Sequence, residues 1–233
     1  MKARHISSLL FLLGLGLLLI SIFQNLPYSN NLTGIGANIN AQAPQQVGTA
    51  NIVTSVILAY RGLDTLGELL ILFTASIAAG MVLAYNPDEL TDSVLGKQQQ
   101  QPAGFILQTA ADLLMPFLLI TGMYIILHGH ITPGGGFQGG AILAAAFFIP
   151  LLTLPGKRMD YQLGSLLEAL AGISFISIGL IALFWKGQFL APLGEPGVPG
   201  ALLSAGSLPL LYLATGIKVG AELANLLARL RDA

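Results

Sequence analysis

The residues best able to do chemistry in this 233-residue chain are charged side chains set inside apolar runs. Lys218 and Glu222 are four apart, so on a helix they share a face one turn apart and can pair. If that helix starts near Ser207, Lys218 lies about eleven residues in, roughly 16 Å deep, where its stem reaches neither end easily. A lysine held between an apolar surround and a carboxylate can be tuned to exchange protons. A static ion pair that fixes helix packing is the alternative. Asp112 lies about nine residues into another apolar run, with Pro116 four residues on. Proline lacks an N–H, which frees the carbonyl of Asp112 and can kink the helix. The site reads either as a proton- or cation-binding carboxylate beside a helix break, or as a protonated acid bonded to a neighbouring helix. Glu168 sits about five residues into a third run, open to an ion-entry role or to packing. Arg61, Asp64 and Glu68, spaced i, i+3 and i+7, make one charged stripe if helical, as path residues or as an interfacial cap.

A second constellation is the string His128-Gly129-His130-Ile131-Thr132-Pro133-Gly134-Gly135-Gly136-Phe137-Gln138-Gly139-Gly140. Its glycines and proline are incompatible with an ordinary helix interior, and predict a tight or re-entrant turn. Irregular backbone at membrane depth survives only when buried in protein or lining a wet cavity. It is not a phosphate loop, since the Lys and Ser/Thr after the glycines are absent. His128 and His130, two apart, point away from each other on a helix or strand. A two-histidine metal site would need a special turn and further ligands, so no metal is expected here. Histidines that titrate or hydrogen-bond at a helix end fit better. A packing turn with Gly136 and Gly140 at small-xxx-small spacing is the competing reading.

The elements that must position these groups are membrane helices. Hydrophobic residues make up 54% of the chain, charged residues only 9%, and mean hydropathy is +0.76. A soluble domain carries about 25% charged residues. Net charge is −1, which argues against a nucleic-acid partner. The absence of cysteine removes disulfides, thiolate catalysis and iron–sulfur ligation. No cofactor is expected, and any metals of a redox assembly would sit on other subunits. Apolar runs of about 18 or more residues mark spans: Ile6 to Phe23, Leu66 to Tyr85, Ala103 to Leu127, Gly139 to Leu154, Leu163 to Trp185, and Ser207 to Ala228. The fourth run is short and borrows residues from the glycines before it. In the sixth, Ser207 can cap and Pro209 fits the first turn. The fold class is therefore all-α and polytopic, with about six spans and a glycine-rich loop between the third and fourth. The first run is long for a signal peptide and no small-x-small site follows closely, Ala41-Gln42-Ala43 coming too late.

With an inside N-terminus, Lys2, Arg4, Lys97, Lys157, Arg158, Arg229 and Arg231 lie inside, against Arg61 and Lys186 outside. That bias places both termini in the cytoplasm of a cell with this chain in its inner (plasma) membrane. Three parts are expected: a two-helix module over 1–90, a polar linker over 91–102, and a four-helix module over 103–233. No internal repeat supports an inverted-repeat transporter. An intramembrane enzyme is disfavoured, with no His-Glu-x-x-His motif and no Gly-x-Ser-x-Gly setting.

The string from His128 to Gly140, with Ala141-Ile142-Leu143-Ala144-Ala145 after it, resembles the signature of the MnhB component of Mrp-type multisubunit sodium/proton antiporters. Leu202-Leu203-Ser204-Ala205-Gly206-Ser207-Leu208-Pro209 with Gly216-Ile217-Lys218-Val219 resembles the last helix of that family. Asn51-Ile52-Val53 with Arg61-Gly62-Leu63-Asp64-Thr65-Leu66-Gly67-Glu68 is similar to the tail of the large MnhA-type component of the same antiporters, with Leu63 where the usual pattern has Phe. That piece also occurs as a small separate protein in membrane-bound hydrogenase and sulfur-reducing complexes with Mrp-like modules. The resemblance implies a non-enzymatic transport component that contributes to assembly and to an Na+ and H+ path. Its partners would be the other subunits of such an antiporter, or of a respiratory complex with the same module. The path residues would be Asp64, Glu68, Asp112, Glu168, Lys218 and Glu222. The glycine loop would contribute His128, His130, Pro133, Gly134, Gly135, Gly136, Gln138 and Gly139. A purely structural scaffold that carries no ion is the remaining alternative.

Overall fold

The computed structural model describes residues 2–25, 34–84, 103–154 and 159–232. The expected linker over 91–102, with Lys97, and the basic pair Lys157 and Arg158 lie outside the described residues. Among the described residues eight helices follow in order: α1 Lys2–Asn25, α2 Ile35–Gln46, α3 Ile52–Thr54, α4 Gly62–Ala84, α5 Phe105–Leu127, α6 Gly136–Thr153, α7 Tyr161–Lys186 and α8 Leu208–Asp232. A π-helical turn, Ser55–Tyr60, carries α3 on toward α4. Six of these helices are long and apolar enough to cross a bilayer, at the six places where apolar runs predict spans. Two compact units are distinguished, 1–38 and 39–233. In the first, α1 is apolar on all sides, as a lipid-embedded helix is.

In the second unit α8 is the hub. It packs most extensively on α6 and α7, and more lightly on α4 and α5, while α5 packs along α6. The core gathers Ile126, Leu143, Phe175, Leu208, Leu211 and Val219. Between lipid-embedded helices the hydrophobic effect supplies little, so close packing of small residues carries the association. α6 shows how. A Cβ on Gly140 would lie 2.8 Å from the carbonyl oxygen of Gly216 on α8, and one on Gly139 would lie 2.7 Å from that of Gly122 on α5. Glycine is required at both, because two backbones approach α6 from opposite sides.

The glycine-rich turn is thereby shorter than its sequence predicts. Gly136, Gly139 and Gly140 belong to the first turns of α6, and only Gly134 and Gly135 remain in the bend. A run of glycines reads as a loop by propensity, whereas tertiary packing pulls its second half into a helix. α8 begins at Leu208 and runs four residues past the expected end at Ala228. Ser207 does not cap it through its side chain. Its hydroxyl accepts from the N–H of Leu193 at 3.0 Å, tying the preceding loop to the helix start. α7 is bounded by ordinary signals: Asp160 accepts from the N–H groups of Gln162 and Leu163 at its start, and Gly187 turns left-handed at its end.

Candidate functional site

Near the middle of α8, Lys218 Nζ donates to Glu222 Oε2 at 2.9 Å and lies 3.5 Å from Glu168 Oε1 on α7. The ring of Phe73 on α4 covers the ammonium, its centroid 5.0 Å away, close enough for cation–π attraction. The Lys218 side chain is 10% exposed, Glu222 fully buried and Glu168 16% exposed. A cleft of about 400 Å³ between α4 and α7 opens onto the group, walled by Leu70, Phe73, Ile77, Ser165 and Gly172. Three helices from both halves of the sequence thus build one charged centre. With all three groups ionised the centre holds one excess negative charge. A single proton or monovalent cation makes it neutral, which is the chemistry such a centre can do. Arg229, two turns beyond Glu222, lines the same cleft at its exposed end.

The centre belongs to a longer stripe. Tyr212, Thr215, Lys218, Glu222, Asn225 and Arg229 recur every three or four residues along α8, so they share one face over about 25 Å. Thr215 Oγ1, Glu222 Oε1 and Asn225 Oδ1 are buried with no hydrogen-bond partner among the described residues. Buried polar atoms normally have one.

At the Leu208 end of the stripe the polarity is neutral and tied to backbone. Tyr212 Oη donates to Thr54 Oγ1 at 2.9 Å, which donates to the carbonyl of Gly129 at 2.7 Å. Asn51 Nδ2 donates to the carbonyls of Gly129 and Thr132, both at 2.9 Å. Its own Oδ1 caps α3 through the N–H of Val53. Thr49 and Ser55 share a hydroxyl–hydroxyl bond beside them. The glycine turn is therefore stapled to the segment before α4. His130 is buried in it, with Nε2 3.1 Å from the carbonyl of Leu202 and Nδ1 unpartnered among the described residues. Burial holds its pKa below the ordinary histidine value, outweighing the carbonyl of Leu202, which acts the other way. His128 ends α5, stacked on Tyr124 with ring centroids 4.1 Å apart. The two imidazoles serve different neighbours.

The residues singled out in sequence divide accordingly. Glu168, Lys218 and Glu222 come together. Asp64 forms an exposed ion pair with Arg61, and Glu68 and Asp112 stand on exposed helix faces elsewhere. In the turn, Gly135, Gly136 and Gly139 are buried, Gly134 is half-buried, and Pro133 and Gln138 are exposed. Tyr212, Thr215, Asn225, Thr54 and the side chain of Asn51 are not among the sequence candidates. The 3-and-4 spacing along the last helix is the signal that contains the first three.

The molecule is thus a polytopic helical membrane protein with a buried ammonium–carboxylate centre on its last helix. Residues 106–225 match the model of a domain related to the MnhB subunit of Na+/H+ antiporter, and the chain belongs to that family. It is 30% identical over 198 residues to an uncharacterized protein of Methanocaldococcus jannaschii, covering 75% of this chain and 74% of that one. Among solved structures, a chain of the membrane-bound sulfane sulfur reductase, an archaeal respiratory membrane complex, matches with a TM-score of 0.81 and 32% identity over 97% of both chains. A chain of the Mrp complex from Dietzia sp. DQ12-45-1b matches with a TM-score of 0.78 and 25% identity over 99% of this chain. Only 26% of that Dietzia chain is spanned.

Proposed function

We propose that this chain is a membrane component of a multisubunit Na+/H+ antiporter module, acting in assembly and in the ion path, with Glu168, Lys218 and Glu222 as the exchanging centre. The observation that carries the reading is the pair of carboxylates within 4 Å of one buried ammonium. Family membership supports a transport rather than a catalytic role. A proton or cation arriving at the centre changes the charge that Glu168 and Glu222 present to Lys218, and so the hold of Lys218 on α7. Asp64, Glu68 and Asp112, on exposed faces, are where such a path meets neighbouring subunits.

A second reading places the same module in a respiratory complex. The end-to-end match to one chain of the sulfane sulfur reductase complex favours it, since the Dietzia match is a quarter of a longer chain. In either assembly, the segment over 1–90 and the four-helix part over 103–233 act as two pieces joined by a linker. Phe73 from the first piece closes the centre built by the second. The location is the plasma membrane with both termini cytoplasmic, supported by the bias of basic residues.

Lys218→Ala in the intact complex tests the relay. In everted vesicles, sodium-dependent proton movement is expected to fall at least about tenfold while the partner subunits still co-purify. Unchanged transport in an assembled mutant removes the relay and leaves the scaffold reading. Partner identity, read by mass spectrometry of the gently purified complex, separates antiporter from respiratory assembly.

A further inference from the structure

One carboxylate in the membrane-spanning part has no counter-ion among the described residues. Asp112 is the eighth residue of α5, about 10 Å from its Phe105 end and about 6 Å short of its middle. A short side chain at that depth does not reach the interface. It lies on the open side of the helix, among Leu113, Phe117 and Ile120, which are 75%, 66% and 72% exposed. It has no hydrogen bond or ion pair with any described residue. The intramembrane ammonium of Lys218 is already held by Glu168 and Glu222.

A second acceptor sits at the same height. Pro116 lies inside α5, four residues after Asp112, and brings no N–H to the carbonyl of Asp112. The face therefore presents two acceptors, a carboxylate and a backbone carbonyl, framed by exposed apolar side chains. Hydrocarbon supplies no donor. A hydroxyl donates once and leaves one acceptor unmet. An ammonium or guanidinium donates several times and also neutralises the charge.

We infer that the Asp112 face of α5 docks a transmembrane helix of a neighbouring subunit, which brings a basic side chain to Asp112. The inference rests on the multisubunit reading but not on the relay at Lys218. It gives the open face of α5 a specificity that apolar contact alone lacks, because a helix without a basic residue at this height leaves the carboxylate unpaired.

The test uses the assembled complex in its membrane. A photo-reactive phenylalanine analogue is placed at Leu113 or at Phe117, and the cross-linked peptide is sequenced. The expected product is a transmembrane segment of a different subunit with Lys, Arg or His within one turn of the adduct. Asp112→Lys is expected to cut partner recovery at least tenfold, and an acidic residue at the mapped basic position is expected to restore it. Adducts with lipid only, with a second copy of this chain, or with a segment lacking a basic residue overturn the inference. So does undiminished recovery with Asp112→Lys. The cross-link is read on otherwise native protein, so it decides the matter even if the charge-reversed chain fails to fold. Both readouts report binding rather than transport, and a failed relay at Lys218 leaves them unmoved.

Discussion

The two ends of α8 are polar in opposite ways. Toward Leu208, Tyr212 joins a neutral lattice in which Thr54 and Asn51 spend their hydrogens on the carbonyls of Gly129 and Thr132. Toward Asp232, Lys218 and Glu222 form a charged pair with a second carboxylate nearby and with buried acceptors left over. Neutral bonds to backbone hold one geometry and have no alternative state. Charged groups in excess of their partners have two, with and without an added positive charge. One helix thus carries a fastening at one end and a switchable centre at the other.

The largest effect should come from separating the charges. Lys218→Ala leaves the buried Glu222 unpaired, a change expected to cost about 3–5 kcal/mol unless the acid takes up a proton. Lys218→Met combined with Glu222→Gln should recover most of that stability in thermal unfolding while transport stays lost. If the double change also restores transport, the charged end is only another fastening. Next in size is Asn51→Ala at the opposite end. It removes two bonds to the glycine turn and the cap of α3, and a loss of about 2–3 kcal/mol is expected. Transport per assembled complex should be kept. A selective transport defect there would erase the distinction between the ends.

Tyr212→Phe should be milder, about 1 kcal/mol, since Thr54 keeps its bond to Gly129. The smallest effect concerns pH. Burial lowers the pKa of His130 from 6.5, so the unfolded chain binds the proton more readily than the folded one. Its stabilising contribution is complete above about pH 6.5 and is lost progressively as pH falls below that value. His130→Gln should flatten this acid limb in melting curves taken from pH 7.5 to 5.5. An unchanged slope would clear the fastened end of any pH sensitivity.

Most of the architecture was legible because lipid imposes a single rule, long apolar runs, and each of the six runs produced a helix. The Lys218–Glu222 pair was legible because four-residue spacing is local. Glu168 was legible as a buried acid, but its approach to Lys218 depends on how α7 crosses α8, which no local pattern encodes. The covering of Lys218 by Phe73 was illegible for the same reason. α2 escaped notice because its sequence, with Pro44 near its end, lacks an apolar face. The glycine string misled in part, since glycine signals both a bend and a close approach. Only the partner helices decide between them, as Gly122 and Gly216 do for Gly139 and Gly140.

The two-sided contact of α6 limits what can move. With one backbone against Gly139 and another against Gly140, α6 has no room to roll, and α5, α6 and α8 shift as a block. α4 rests on that block more lightly and is preceded by the π-helical turn at Ser55–Tyr60. Compliance near the ammonium therefore resides in the helix bearing Phe73, which can tilt away from it without disturbing the frame behind.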